Sequence, residues 1–377
     1  MHWLLIALGL AVVAAVLAYR LRRRREEAQA WLKGVRSMIS DDPDAAIEAL
    51  SDAARLGTSE AVETYLALGQ LLRRTGDLTR AIRLHRNMLH RPGLEPSRRA
   101  EVERELADDY RRAGMLSEAA ETYRALAGRG DAAAAQGLRD VLVEQGRLEE
   151  ALAEHRARCP EDRRLLAHLL AATARARRPG GAAAGTAQGE PGPERGGAAA
   201  LAAAREAASA DPTCADALLA RAEAEAAAGE AEAAARSVEE ALRQAPRTAL
   251  LAWPALAALP VDRGLAVVDG ALARGGDASR LRVLRGRLLA RAGRNGDAVA
   301  ELRRAMEVDA DGEATFALRE VLRDAAAPTP DELPARHDLM VAALLRQVRP
   351  LRCVRCGAGA ASRAWRCPRC GAFDAYP

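Results

Sequence analysis

The sequence predicts an all-α protein built from repeated helical hairpins, and three observations support this prediction. Only 3% of the 377 residues are aromatic, while alanine, leucine and arginine dominate, which favours many slender helices over one thick core. Apolar residues recur at helical spacing through residues 65–88 and are interrupted once, at Gly76-Asp77. Position pairs twelve residues apart, followed by a turn glycine, then recur along the chain.

Residues 65–88 define the repeating unit. Leu68 and Leu72 lie on one face of a first helix, and a second helix begins after Gly76, whose lack of a Cβ suits a tight turn. Gly69 and Ala81 are small where the two helices must approach each other closely. One such hairpin cannot bury its own apolar face, so copies of it are expected on either side.

The copies are aligned by pairs of positions twelve residues apart, most of them occupied by small residues. In five of the six pairs a glycine follows the first member by seven residues, and in the first pair Asp41 takes that place. The first four copies start 35, 38 and 32 residues apart, close to the 34-residue period of tetratricopeptide repeats. We therefore expect a tetratricopeptide-repeat solenoid over residues 31–348, with a degenerate copy around residues 250–273. The pairs are Gly34 and Ala46, Gly69 and Ala81, Ala107 and Ala119, Arg139 and Ala151, Ala222 and Ala234, and Gly286 and Ala298.

The N-terminal residues predict an uncleaved membrane anchor over residues 1–20. Residues 3–19 carry no charge, Trp3 and Tyr19 bracket them, and a basic juxtamembrane segment follows at residues 21–30. Because positive charge stays in the cytoplasm, the N-terminus is expected outside and the rest of the chain inside. A cleaved signal peptide is the alternative, but it requires a basic region before the apolar stretch, and here the order is reversed.

Residues 179–197 interrupt the repeats with a segment rich in glycine, proline and alanine. This composition predicts a flexible insertion. The helical segments at residues 163–177 and 199–210 are then the two arms of one hairpin whose turn has been expanded. A domain boundary at this place is the competing interpretation.

The last 25 residues contain two Cys-x-x-Cys-Gly knuckles, separated by ten residues. Cys353, Cys356, Cys367 and Cys370 can surround one metal ion tetrahedrally, which predicts a metal-binding ribbon over residues 349–377. Zn²⁺ in a structural role is favoured, and iron would make a redox centre in the same cage. Disulfides are the alternative, but they conflict with a cytoplasmic location.

The ribbon has few apolar side chains, chiefly Val354, Trp365 and Phe373, so metal binding is expected to drive its folding. Trp365 and Phe373 are expected to dock it against the last repeats. Five arginines offset the charge of the thiolates, and they are Arg352, Arg355, Arg363, Arg366 and Arg369.

No catalytic motif stands out along the repeats. His85 and His155 occupy the same repeat position, where an aromatic residue normally packs, and they and His168 are interpreted as packing or surface residues. Cys159 and Cys214 lack a basic partner in sequence and are expected to be inert. The 56 basic and 52 acidic residues are interleaved, which is typical of solvated helix faces.

An N-terminal anchor, a repeat array and a C-terminal ribbon together resemble the lipopolysaccharide assembly protein B family of Gram-negative bacteria. The stretches LALGQLLRRTGDLTRAIRLH, ELADDYRRAGMLSEAAETYRAL, RCVRCG and WRCPRCG carry the resemblance. It implies a rubredoxin-like ribbon with the four cysteines as metal ligands. It also implies a non-catalytic inner-membrane adaptor that works with the protease FtsH to control turnover of the deacetylase committing precursors to lipid A synthesis.

Two alternatives to this adaptor function come from other classes of protein. The ribbon could bind nucleic acid, with its arginines on phosphates, and binding would then weaken steeply with salt. The repeats could instead serve as an assembly factor for another membrane complex.

Overall fold

The structure is a computed structural model in which the chain forms two compact units, Met1–Arg147 and Leu148–Pro377. The boundary falls inside the predicted Arg139–Ala151 copy, so the two helices of that copy belong to different units. The described residues are 15–20, 22, 26, 29, 61–90, 94–178, 193–276, 278–307, 313–324, 351–360 and 364–376.

The predicted membrane anchor lies outside the described residues apart from residues 15–20, which are helical. Among the residues that the structure describes, none of the helices combines the length and the apolar character that a bilayer span requires. The Gly34–Ala46 copy and residues 325–348 of the predicted solenoid also lie outside the described part of the chain.

The first unit consists, in its described repeats, of consecutive antiparallel helices. α1 and α2 form the predicted hairpin, with Leu68, Leu71, Leu72 and Ala81 buried together between them. Leu66 and Met88 extend the packing to Val102 on α3. These helices are α1 (Ala61–Thr75), α2 (Leu78–Leu89), α3 (Pro96–Arg112), α4 (Leu116–Gly128) and α5 (Ala132–Glu144).

The turn glycines adopt the conformation for which glycine was predicted. The value of φ is +91° at Gly76 and +75° at Gly114, in the left-handed region that a Cβ disfavours. The other three members behave alike, with φ of +74° at Gly146, +81° at Gly229 and +74° at Gly293. The glycine that repeats in the sequence therefore lies in the turn just after the first helix of these five copies.

The small residue in the first helix permits close packing against the second. A Cβ placed on Gly69 of α1 would lie 2.3 Å from Nε2 of His85 on α2. His85 is fully buried, and its Nδ1 lies 2.6 Å from a carboxylate oxygen of Asp109, so the ring cannot move aside easily. The prediction that His85 packs between helices is confirmed, and His155 is fully buried as well.

Substitution of Gly69 by alanine is expected to destabilise the first unit by about 1–3 kcal/mol, because the added methyl group overpacks against the His85 ring. Chemical denaturation of the full chain measures this change. Gly128→Ala is the matched control, because a Cβ there meets no atom within 4 Å and the residue ends helix α4. Equal stability of the two variants would show that the close approach at Gly69 is not needed.

The second unit contains a mixture of regular and degenerate hairpins. Its core runs without interruption from Ala208 to Val321 and includes the predicted pairs Ala222 with Ala234 and Gly286 with Ala298. The helices are α6 (Leu148–Arg158), α7 (Arg163–Arg177), α8 (Pro193–Ala210), α9 (Ala215–Ala227), α10 (Ala231–Gln244), a 3-10 helix (Pro246–Ala252), α11 (Trp253–Ala258), α12 (Val261–Ala273), α13 (Ala278–Arg291), α14 (Asn295–Met306) and α15 (Glu313–Asp324).

The degenerate copy predicted at residues 250–273 has a broken first helix. The 3-10 helix and α11 take its place, and Pro254 lies in the first turn of α11, where a missing N–H is tolerated. Leu250 and Leu256 are buried in the core of the unit, so the copy still fills its place between α10 and α12.

Helices α7 and α8 pair as the two arms of one hairpin. Ala174 packs with Ala203 and Ala204, and a Cβ on Gly196 would lie 3.1 Å from the carbonyl oxygen of Arg177. Helix α8 begins at Pro193, inside the predicted insertion, so the insertion is shorter at its C-terminal end than residues 179–197. Proline is compatible with the first turn of a helix, and the alanine-rich stretch that follows favours helix.

Replacing residues 179–192 by a four-residue Gly/Ser turn is expected to leave the melting temperature almost unchanged. The ends of α7 and α8 already lie together, and loop-closure entropy depends only weakly on loop length. Circular dichroism of the full chain with and without the segment measures this. A loss of several degrees would show that the insertion stabilises the hairpin.

Several of the interleaved charges connect neighbouring hairpins and do not simply face solvent, which corrects the expectation from the sequence. In the first unit, Arg73 of α1 donates to Glu105 at 2.6 Å and to Asp109 at 2.7 Å on α3. Arg111 of α3 pairs in the same way with Asp140 and Glu144 of α5. Arg73 and Arg111 follow the aligned positions Gly69 and Ala107 by four residues each, so this link repeats with the hairpin.

Candidate metal centre and its docking site

Two nearly identical knuckles form the C-terminal ribbon. In the first, the amide of Cys353 donates to the carbonyl of Ala358 at 2.9 Å; in the second, Cys367 donates to Ala372 at 2.8 Å. A short antiparallel pair, β1 (Leu351–Arg352) and β2 (Gly359–Ala360), closes the first knuckle. A bridge between Arg366 and Phe373 closes the second.

The glycine after each second cysteine turns the chain back as the sequence predicts. Gly357 and Gly371 have φ of +69° and +72°, and their amides donate to the carbonyls of Cys353 and Cys367 at 2.8 and 2.9 Å. Each knuckle therefore presents its two thiols on the same side of a tight turn.

The four thiols meet at one point. Sγ of Cys353 lies 3.6 Å from that of Cys370, Sγ of Cys356 lies 3.8 Å from that of Cys367, and all four lie within 4.8 Å of one another. Four sulfurs placed about 2.3 Å from a central Zn²⁺ would be separated by about 3.8 Å. The four sulfurs and their spacing therefore fit one metal ion that is coordinated tetrahedrally by thiolates, and zinc and iron both suit such a site.

The surroundings prepare one of these thiols for ionisation. Burial acts to raise the pKa of Cys367, but hydrogen bonds from the Tyr376 hydroxyl and from the amides of Cys370 and Arg369 lower it to about 6. The pKa of Cys370 is raised to about 12 by burial and by the neighbouring sulfurs. A metal cation between the sulfurs would favour ionisation of all four thiols, because its positive charge stabilises the four thiolates together.

Two aromatic side chains of the ribbon hold it against helix α7. The ring of Phe373 stacks on that of His168 with centroids 4.7 Å apart, and Trp365 lies 6.3 Å from the same ring. Trp365 also packs against the core of the second unit. The expectation that Trp365 and Phe373 dock the ribbon is confirmed. Among the described residues, the ring stacking and ion pairs of the ribbon are made with α7, several hairpins before the last repeats that the sequence predicts as the docking surface.

His168 is the centre of this docking site. Its Nδ1 lies 2.7 Å from a carboxylate oxygen of Asp216 on α9, and its Nε2 lies 3.1 Å from one of Asp374 on the ribbon. Each nitrogen faces an acceptor, so both carry a proton and the ring is an imidazolium. Burial acts to lower its pKa, but hydrogen bonds to Asp216, Asp374 and Cys214 raise it to about 11.

The carboxylates that hold His168 are themselves paired. Arg175 of α7 donates to the other oxygen of Asp216 at 2.6 Å, while Arg164 reaches Asp374 at 2.8 Å. Asp374 has φ of +49° and is the one non-glycine residue in the described part of the chain with a positive φ. Backbone strain of this kind persists where surrounding contacts fix the residue, here through His168 and Arg164.

Sequence reasoning missed this network. The sequence indicates a packing or surface role for His168 and no basic partner for Cys214, yet Sγ of Cys214 lies 3.8 Å from Nε2 of His168. Cys159 is half-buried and lies outside the thiol cluster. The sequence offered one half of the signal for this contact, because Asp374 immediately follows Phe373, a residue expected to dock the ribbon. The other half, His168, lies 206 residues away, so spacing in the sequence does not connect the two.

The arginines around the ribbon differ in their availability. Arg366 donates to the carbonyl of Gly371 and lies over the Phe373 ring, so it serves the fold of the ribbon. Arg355 and Arg369 are exposed on the two knuckles, Arg352 is exposed on β1, and Arg363 lies outside the described residues. On the described part of the ribbon, three exposed cations therefore remain available for phosphate contacts.

Fold and site together define a helical-hairpin repeat protein of the tetratricopeptide type that carries a C-terminal ribbon with a four-thiol cage. No protein-family model matches the chain. It is similar to the Escherichia coli lipopolysaccharide assembly protein B of strains K12 and O157:H7, with 30% identity over 96 residues. The match covers 26% of this chain and 24% of each relative. The predicted resemblance to the lipopolysaccharide assembly protein B family is thereby confirmed over about a quarter of the length of these relatives.

Solved structures of other repeat proteins are also similar to the chain. A tetratricopeptide repeat protein from Parabacteroides merdae is 15% identical, with 79% of this chain and 99% of that one covered and a TM-score of 0.32. The C-terminal part of a repeat protein from Cytophaga hutchinsonii is 11% identical, with 72% and 98% covered and a TM-score of 0.45. Both TM-scores are below 0.5, so the fold is established by the helical hairpins of this chain and not by these similarities.

Proposed function

We propose that the protein is a non-catalytic adaptor of the inner membrane that regulates lipopolysaccharide synthesis. In this function, the repeats bring protein partners together. The partners that we propose are the protease FtsH and the deacetylase that commits precursors to lipid A synthesis. The four cysteines, Cys353, Cys356, Cys367 and Cys370, hold a structural Zn²⁺ and do no chemistry of their own.

The observation that carries this proposal is the way the ribbon is docked. Both ring nitrogens of His168 are hydrogen-bonded to carboxylates, and the four sulfurs face one another, so these groups are engaged in holding the ribbon. This arrangement builds a composite surface from ribbon and repeats. The similarity to lipopolysaccharide assembly protein B, over about a quarter of that protein, supports the choice of pathway.

The location is part of the proposal. The uncharged residues 3–19 with the arginines that follow them support an anchor whose N-terminus is periplasmic and whose repeats are cytoplasmic. The intact protein is expected to stay with the membrane during alkaline carbonate extraction. Release of the intact chain into the soluble fraction would contradict an anchor.

Depletion of the protein in its own bacterium, followed by measurement of lipid A and of deacetylase abundance, tests the proposed function. We expect both quantities to change together, and re-expression of the wild-type chain to restore them. A variant with all four knuckle cysteines replaced by serine is expected to fail to restore them. If neither lipid A nor the deacetylase changes, the proposed pathway is wrong.

A further inference from the structure

A cleft lies between the ribbon and the repeats of the second unit. Its volume is about 630 Å³, and it opens beside the docking site of His168 without including that residue. One wall belongs to the ribbon and contains Trp365, Asp374 and Tyr376. The opposite wall is formed by the N-terminal ends of α7 and α9 and by the end of α10 with the following 3-10 helix.

The apolar part of the cleft is supplied from both walls. Trp365 is half-buried, with one part packed on the core of the unit and another part lining the cleft. Leu251 of the 3-10 helix lines the cleft from the other side and is half-buried as well. An apolar side chain placed between them would remove both from water.

The charge of the cleft is positive. Of its charged residues, Asp374 is already held by Arg164 and by the His168 imidazolium. Arg247 of the 3-10 helix is exposed and forms no ion pair with any residue that the structure describes. The cleft therefore offers an available guanidinium close to an apolar wall, which complements a carboxylate next to an apolar side chain.

The rim of the cleft provides hydrogen-bond acceptors. The hydroxyl of Thr213 donates to Asp211 at 2.7 Å and that of Thr248 donates to the carbonyl of Ala245 at 2.9 Å. Since each hydroxyl has already given its proton, its remaining lone pairs can accept from a ligand. Backbone N–H groups of an extended chain are donors of the kind that fits this rim.

We propose that the cleft between ribbon and repeats binds an extended acidic segment of a partner protein. An apolar side chain of the segment lies between Trp365 and Leu251, and a neighbouring carboxylate pairs with Arg247. This inference rests on the proposed adaptor function and gives it a partner chemistry. Because the ribbon forms one wall, binding also requires the ribbon to be folded.

Selection of a random dodecapeptide phage library on the purified full chain tests the proposal. We expect the enriched peptides to carry Asp or Glu next to Leu, Ile or Phe. A fluorescent synthetic copy of the most enriched peptide is expected to bind Arg247→Glu at least tenfold more weakly than wild type. Arg236→Glu is the matched control, because Arg236 is an exposed arginine of α10 outside the cleft, and it is expected to bind like wild type.

Three results would overturn the proposal: no enrichment on the wild-type chain, enriched peptides without acidic residues, or undiminished binding to Arg247→Glu. The outcome is separate from the lipid A test. A chain whose depletion alters deacetylase abundance but which selects no acidic peptide would retain the proposed function and lose this inference. If acidic peptides bound to the cleft but depletion had no effect on lipid A, the inference about the cleft would stand and the proposed pathway would be wrong.

Discussion

Cys367→Ser is expected to abolish metal binding and to release the ribbon from helix α7. Cys367 is fully buried, its Sγ lies 3.8 Å from that of Cys356, and it accepts a hydrogen bond from Tyr376. The ribbon has little apolar core, so the free energy of metal binding, on the order of 10–16 kcal/mol in comparable sites, is its main source of stability. Metal analysis and hydrogen exchange of the peptides spanning α7 measure the two effects.

Cys159→Ser provides the matched control, since Cys159 is a half-buried cysteine of the same unit outside the thiol cluster. It is expected to keep the metal and the exchange protection of α7. If Cys367→Ser lost its metal and α7 kept full protection, the ribbon would not depend on the ion for its docking.

His168→Ala is expected to detach the ribbon while the metal stays bound. The substitution leaves Asp216 and Asp374 without the cation between them and removes the ring that stacks on Phe373. Loss of one member of a buried charged network costs about 3–5 kcal/mol. Limited proteolysis and hydrogen exchange of the ribbon are expected to show faster opening, with the metal content unchanged.

Asp374→Asn tests the same contact from the exposed side. Asparagine is close in size to aspartate and tolerates a positive φ, so the backbone of the ribbon is preserved while the charge facing His168 and Arg164 is lost. It is expected to loosen the ribbon less than His168→Ala does. His90→Ala, at an exposed histidine that follows α2 directly, is the control and should have no effect. Unchanged opening in both docking variants would mean that neither the ion pairs nor the ring stacking at His168 holds the ribbon.

The same network predicts how docking depends on pH. The pKa of His168 is raised from 6.5 to about 11, so its contribution is complete below about pH 6.5 and is lost as the pH rises towards 11. The pKa values of Asp216 and Asp374 are lowered from 3.8, so their contributions are present above that pH and are lost below it. Docking is therefore strongest between about pH 4 and 6.5. The groups facing the ring are Asp216, Asp374 and Cys214. Arg175 pairs with the other oxygen of Asp216, and Arg164 shares the Asp374 oxygen that faces the ring.

Measurement of the His168 imidazole signals by NMR, assigned by comparison with His168→Ala, follows this titration directly. The ring is expected to remain protonated through neutral pH. Titration near its ordinary pKa of 6.5 would contradict the paired geometry.

Local features of the chain could be predicted from sequence because their causes are local. Gly76 and Gly293 are needed at turns with positive φ, and small residues such as Gly69 and Ala81 are needed where paired helices approach. The cysteine knuckles are equally local, since five consecutive residues fix each turn. Period and spacing therefore predicted the hairpins and the grouping of the thiols.

Features that join distant segments could not be predicted in the same way. The place where the ribbon docks depends on a contact between His168 and Asp374, which are 206 residues apart, and no periodicity records it. The inter-hairpin pair of Arg73 with Asp109 looks in sequence like two solvated charges, because partner choice is decided by helix packing. Composition places Pro193 in the predicted insertion, although proline is compatible with a helix start and the helix begins there.

We infer that the four C-terminal thiols enclose one metal ion and that the ribbon folded around it completes the second unit. Native mass spectrometry of the detergent-solubilised full chain, combined with thiol titration before and after denaturation, tests it most directly. We expect one ion per chain, and we expect the four knuckle thiols to react only after the protein is unfolded or the metal is chelated. A chain without metal whose four knuckle cysteines are paired as disulfides would contradict it.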